Sequence, residues 1–261
     1  MTALLWRWPW LLLLLGASAQ AAELRLERGE ARDPDSGELL YIEQHLLRLD
    51  AGSPMQRLVL YRCPDGTAFA RKTVDYRQSR QAPEFSFEDV RIGYREGLRR
   101  SPEPELWFAD RAPPRRTPIN DAALVADAGF DEFVRLNWPA LLAGDALRFA
   151  FAVPARQRSY GFALRRVGDR VIGDAPAAHL RLQFDGWLGR WLPSVDLFYS
   201  HQSRRLLRFE GLSNLRSDAG DRQLRARIDF PHPAQPVSAD AWQSAVDEPL
   251  RSCRMQDPPP A

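Results

Sequence analysis

The sequence predicts a mainly β protein, an antiparallel meander forming a curved sheet or half-open barrel with one or two inserted helices. Three observations carry the prediction. Residues alternate with period two over much of the chain, turn-forming residues fall between the alternating runs, and two stretches switch to helical spacing.

Residues 1–21 read as a leader: Arg7 is the basic flank, Trp8 to Leu15 the apolar stretch, and Ala19-Gln20-Ala21 the small-x-small site before Ala22. The uncharged run from Trp8 to Ala22 falls short of the ~20 residues a helix needs to cross a bilayer. The expectation is a cleaved signal peptide and a soluble periplasmic product. No lipid anchor is expected, because the first cysteine is Cys63.

The remainder, 22–256, reads as a single β-rich domain. Pro64-Asp65-Gly66 joins the run Leu58 to Cys63 to the run Thr67 to Tyr76, with proline presetting φ and glycine free to take positive φ. Asp110 to Asp121, with three prolines, marks a candidate sub-boundary or a long crossing loop. From Gly129 to Leu142, apolar residues recur every three or four positions, which predicts a helix that Pro139 kinks or divides. Strands then alternate through Leu147–Val153, Tyr160–Arg165, Leu180–Phe184, Val195–Tyr199, Leu206–Gly211 and the run ending at Phe230. A second short helical stretch is expected at 187–192, where Trp187 and Trp191 share a side. The proline-rich tail 257–261 is expected to be disordered.

Composition excludes several functions. A formal charge of +2 on 261 residues provides no basic face for nucleic acid, and a phosphate loop is missing. Of 36 basic residues, Lys72 is the single lysine; a GC-rich genome explains that bias without invoking anion binding. Cys63 and Cys253, the two cysteines of an exported chain, are expected to pair. Redox catalysis would want C-x-x-C spacing instead.

Catalytic motifs do not rise above background. His45, His179, His201 and His232 share no metal-ligand spacing, so neither metal nor cofactor is expected. Gly211-Leu212-Ser213-Asn214-Leu215 is half of a nucleophile elbow, and Ser200-His201 point to opposite sides of a strand. Asp127, Asp131 and Glu132 suit an acid pair for glycoside chemistry less well than the start of a helix, where they complement its dipole and cap free amides.

What remains is an apolar face. Phe149, Phe151, Tyr160 and Phe162 line it, with Phe130, Phe133, Trp138 and Leu142 from the helix and Trp187 and Trp191 beside it. Such a face allows either a tight core or a cavity under the helix.

The phrase from Leu197 to Gly211, with its RRLLRFEG run, looks like a hairpin of uncharacterised exported proteins of Gram-negative bacteria, a resemblance spanning most of residues 37 to 230. In element order the chain is also similar to the half-open β-barrel carriers of the lipoprotein-localisation pathway and their mycobacterial relatives. In that family a curved sheet with a helical lid encloses acyl chains. The resemblance implies a periplasmic protein that binds an apolar or amphipathic, lipid-like ligand in a sheet-plus-helix cavity. Two alternatives stay open: an envelope assembly or interaction protein with a filled core, and an enzyme whose residues meet only in space.

Overall fold

The computed structural model describes residues 22–100, 102–110, 112–186 and 193–255. The leader over 1–21, the stretch 187–192 with Trp187 and Trp191, and the tail 257–261 lie outside these residues.

Eight strands make a first limb: β1 (Glu23–Arg32), β2 (Leu39–Asp50), β3 (Ser53–Arg62), β4 (Ala68–Asp75), β5 (Glu84–Asp89), β6 (Tyr94–Arg99), β7 (Glu105–Asp110) and β8 (Arg115–Pro118). Each pairs antiparallel with the next. A second limb comprises β9 (Leu124–Val125), β10 (Leu147–Val153), β11 (Arg158–Ile172), β12 (Ala175–Phe184), β13 (Val195–Ser200), β14 (Leu206–Arg216) and β15 (Gln223–Asp229). From β10 onward its neighbours are again antiparallel, while β9 lies parallel to β10. The short β16 (Gln235–Pro236) adds to β1.

The limbs join at the chain's extremes, where β1 pairs with β15 and Glu30 faces Asp229. The sheet therefore runs from β8 through β1 and β15 to β9. Strands β8 and β9 are consecutive in sequence yet stand at opposite edges, so this is an up-and-down barrel left open at one seam, as the alternation predicts. Curvature shows in the packing: Tyr61, Phe87 and Phe108 of the first limb share a core with Leu224 and Ile228 of the second. The 110–121 region supplies the end of β7, edge strand β8 and the start of the crossing. Arg115, Arg116 and Pro118 make β8 a poor template for further pairing.

Among the contacts across the seam are two polar ones. The Ala155 N–H donates to the Glu96 carboxylate at 3.2 Å, and the Thr117 hydroxyl donates to the Gln157 side-chain oxygen at 3.0 Å. One end of the barrel is tied by buried Arg91, which pairs with Asp89 at 2.6 Å and Asp218 at 2.7 Å while lying 4.0 Å from the centre of the Phe69 ring. Near that end, Cys63 and Cys253 form the expected disulfide across 190 residues of sequence.

The expected helix is divided as Pro139 requires. α1 (Phe130–Leu136) ends at Asn137, and α2 (Trp138–Ala143) carries proline in its first turn, where no intrahelical donor is needed. A third helix, α3 (Ala239–Asp247), begins at Ser238, whose hydroxyl accepts the Ala241 N–H at 3.1 Å. It packs Trp242 and Ala245 over Leu46, Leu58 and Leu60, on the outer face of β2 and β3. Among the described residues, no helix is long and apolar enough to cross a membrane.

Candidate functional site

One stretch of chain, residues 124–143, starts as the edge strand β9 and continues over part of the inner face as a 3-10 turn at Asp127–Gly129, α1 and α2. It enters beside the first limb: the Ala126 N–H donates to the Gln81 carbonyl at 3.0 Å, and the Tyr76 hydroxyl donates to the Ala128 carbonyl at 2.8 Å. Gly129 permits that approach, because a Cβ there would lie 2.2 Å from the Gln81 carbonyl oxygen. The stretch ends at Gly144, whose φ of 95° reverses the chain after α2.

Against the second limb the contact is apolar. Phe133, Val134, Trp138 and Leu141 are buried with Phe149, Leu164, Leu180, Leu197 and Tyr199. The Phe133 and Phe149 rings lie 4.6 Å apart, Phe130 sits 6.2 Å from Phe149 and 6.3 Å from Phe151, and Trp138 lies 6.3 Å from Tyr199. The interior contact continues as a half-buried aromatic shelf in which Phe151 meets Phe162 at 5.4 Å, Phe162 meets Phe184 at 4.3 Å and Tyr160 meets Phe184 at 6.1 Å.

Against the first limb the same stretch is charged. Asp127 pairs with Lys72, Asp131 with Arg57 at 3.2 Å, and Glu132 with Arg80, whose Nε donates at 3.0 Å. Two further polar contacts come from elsewhere: the Tyr199 hydroxyl, on β13 of the second limb, donates to Asp131 at 2.8 Å, and Arg135 within α1 pairs with Glu132 at 2.7 Å. Burial works to raise the Asp131 carboxyl. The Arg135 and Arg57 charges and the Tyr199 hydrogen bond outweigh it and hold the group at about 2. Burial likewise opposes the charge on Lys72, yet Asp127 beside it lifts the ammonium above the ordinary lysine range. Burial raises Glu96, which accepts the Tyr94 hydroxyl at 2.7 Å, and pushes the Tyr61 phenol up to about 12.

These carboxylates correct one expectation. They stand in the first turns of the 3-10 turn and of α1, as expected, but neither element has a side-chain cap, so Asp127, Asp131 and Glu132 are held by cations rather than by free amides. Leu142 is a second correction: it is 38% exposed, because α2 turns that position outward, and it does not line the inner face. Phe133, Trp138 and Phe149 are buried, while Phe130, Phe151, Tyr160 and Phe162 are half-buried. The sequence reading passed over Arg57, Lys72, Tyr199 and Phe184. A signal existed, since Arg57 and Lys72 stand in phase with Val59, Tyr61, Ala70 and Val74, the inward-facing residues of the same strands.

The other motifs do not assemble. Buried Ser213 is hydrogen-bonded to Tyr41 at 2.9 Å, and His201 turns from Ser200 to Asp169 at 3.0 Å. His45 and His179 meet Glu43 and Asp196 at 2.7 and 2.8 Å. Cys63, Asp65 and Cys253 lie close enough to suggest a metal set, but both sulfurs are in the disulfide. A recess of about 390 Å³ beside the seam is lined in part by Arg80, Arg100, Asp121 and Leu136. A second, of about 320 Å³, lies against Thr73, Glu84, Arg99 and Trp107. Neither is lined by the Phe149 set.

No protein-family model matches this chain, and no curated protein is significantly similar to it. Among solved structures, the chain is similar to a crystal structure from Brucella abortus described as a β-barrel-like protein of Domain of Unknown Function DUF1849. The two are 6% identical over 83% of this chain and 95% of that chain, with a TM-score of 0.44.

Proposed function

We propose that this is an exported, periplasmic protein whose residues 22–256 act as a single domain that binds an apolar or amphipathic, lipid-like ligand on the inner face of the sheet. Residues 127–143, which follow β9, act as a lid that moves aside to admit it. The observation that carries this reading is the continuity of the aromatic surface, which passes from the packed Phe133–Phe149 contact under the lid to the half-buried shelf of Phe151, Phe162 and Phe184 without a polar break. A ligand can begin on the shelf and extend beneath the lid. The disulfide fits an oxidising compartment and so supports export.

Magnitudes limit the ligand. Exposing a buried lid side chain such as Phe133 or Trp138 costs about 1.5–3 kcal/mol, and an alkyl chain returns about 0.8 kcal/mol per buried methylene. Displacing two or three such side chains therefore costs about 3–9 kcal/mol and needs roughly four to eleven methylenes, so the shortest acids do not open the lid. The test is purification without detergent, mass spectrometry of extracted lipid, and displacement of a fluorescent fatty-acid probe by acyl chains of increasing length. Binding that rises steeply with chain length is expected. No co-purified lipid together with no probe uptake would sink the reading.

One alternative has its own support. Tight contact at Phe133–Phe149, with Leu136 and Leu142 exposed on the lid's outer face, suits an envelope interaction protein with a filled core. That reading expects no ligand at any chain length.

A further inference from the structure

We infer that the ligand is an anionic single-chain amphiphile, and that its head group takes the positions on Arg57 and Lys72 that the lid's Asp131 and Asp127 now hold. The inference rests on the lid reading above and adds the chemistry of the ligand. Both cations lie on the inner face of the first limb, with side chains only 11% and 8% exposed. Lys72 sits in register between Val59 and Phe87, so its stem crosses apolar surface before the ammonium meets an anion.

The neighbouring carboxylates are already engaged. Glu43 is held by His45 at 2.7 Å, Glu27 by Arg205 at 3.0 Å, and Glu96 accepts from Tyr94 and Ala155. The ion-pair partners of Lys72 and Arg57 both come from the 124–143 stretch. Donor capacity is also left over. Arg57 gives one hydrogen bond to Asp131 through Nη1, and its Nε is buried with no acceptor, although a guanidinium carries five N–H donors.

Lid opening and anion arrival are therefore coupled. Withdrawing Asp127 and Asp131 would leave two cations in a low-dielectric interior without counterions, a state far less favourable than the paired one. A neutral amphiphile satisfies the apolar wall and leaves that imbalance; an anionic one removes it. Asp127 is half exposed while Lys72 is not, so the acidic side of the pair is the side able to leave.

The experiment compares C16 ligands that share a chain and differ in head: hexadecanoate, hexadecyl phosphate, hexadecanol and hexadecyltrimethylammonium, each displacing the same probe from the full chain. At least one anionic ligand should bind ten or more times tighter than the alcohol, and the ammonium should bind weakest. Which anion binds tighter tells a carboxylate source from a phosphate one. Lys72→Met/Asp127→Asn and Arg57→Met/Asp131→Asn, each removing both charges of a pair so that none is stranded, should narrow the preference over the alcohol to threefold or less; circular dichroism checks that they fold. Asp127→Asn/Asp131→Asn, which weakens the lid's hold and keeps both cations, should tighten anion binding severalfold. Equal binding of acid, phosphate and alcohol overturns this inference and leaves the lid reading standing, as does an anion preference that survives in both charge-pair variants. Failure of all four ligands to bind removes the lid reading as well.

Discussion

Against β10–β14 the 124–143 stretch lays down Phe133, Val134 and Trp138, whereas against β3 and β4 it presents the carboxylates of Asp131 and Asp127. The two walls hold one segment by different physics. Apolar contact is non-directional and scales with area, so it supplies most of the grip but tolerates sliding. A buried ion pair gives little net stability, yet losing one partner is costly. The apolar wall thus sets how strongly the segment is held, and the charged wall sets where it sits.

The largest effect should come from the closed end, away from both walls. Replacing Cys63 and Cys253 by serine frees a loop spanning 190 residues, worth about 5 kcal/mol in the chain-entropy model. Urea denaturation should show that loss with the lid's contacts intact; a change under 1 kcal/mol would mean that the end is held without the bond. On the apolar wall, Phe133→Ala should cost about 3–5 kcal/mol by cavity formation, seen as a lower urea midpoint at unchanged slope.

The charged wall should respond to acid instead. The folded pKa of Asp131, about 2, lies below the unfolded carboxylate value of about 3.9. Its contribution, about 2–3 kcal/mol, is therefore fully present above about pH 5 and is lost as pH falls through about 4 and 2 towards 1. Comparison with Asp131→Asn isolates this group from Glu96, whose raised pKa has the opposite sign and loses stability as pH rises through it. Equal pH slopes below 4 in the two proteins would break the contrast between walls. The smallest effect serves as a reference outside the site: Ser238→Ala removes the cap of α3 and should cost about 1 kcal/mol, with no change in ligand binding.

Legibility in the sequence followed where water lies. In the second limb, Leu147–Val153 and Leu180–Phe184 set large apolar side chains against small or polar ones at every other position, so their strands were readable. On β2 and β3 the pattern fails because α3 covers the outer side. Leu58, Val59, Leu60 and Tyr61 are all buried, and period two disappears. α3 itself was missed, although Ser238 followed by Trp242 and Ala245 carries a cap and one apolar stripe. For the site, the aromatic half was visible as a stripe of like residues. The charged half was not, because each pair joins positions 55 or 74 residues apart, and nothing local in a sequence couples Lys72 to Asp127 or Arg57 to Asp131.

The pairing of Glu30 with Asp229 has a consequence for the order of assembly. Folding from β1 onward, β1 to β8 can zip by short hairpins, but the outer edge of β1 has no second-limb partner until β15 is available. Through that interval the partly folded molecule carries a bare, strand-ready margin, the kind that sticks to other unfolded chains and that holdase chaperones protect.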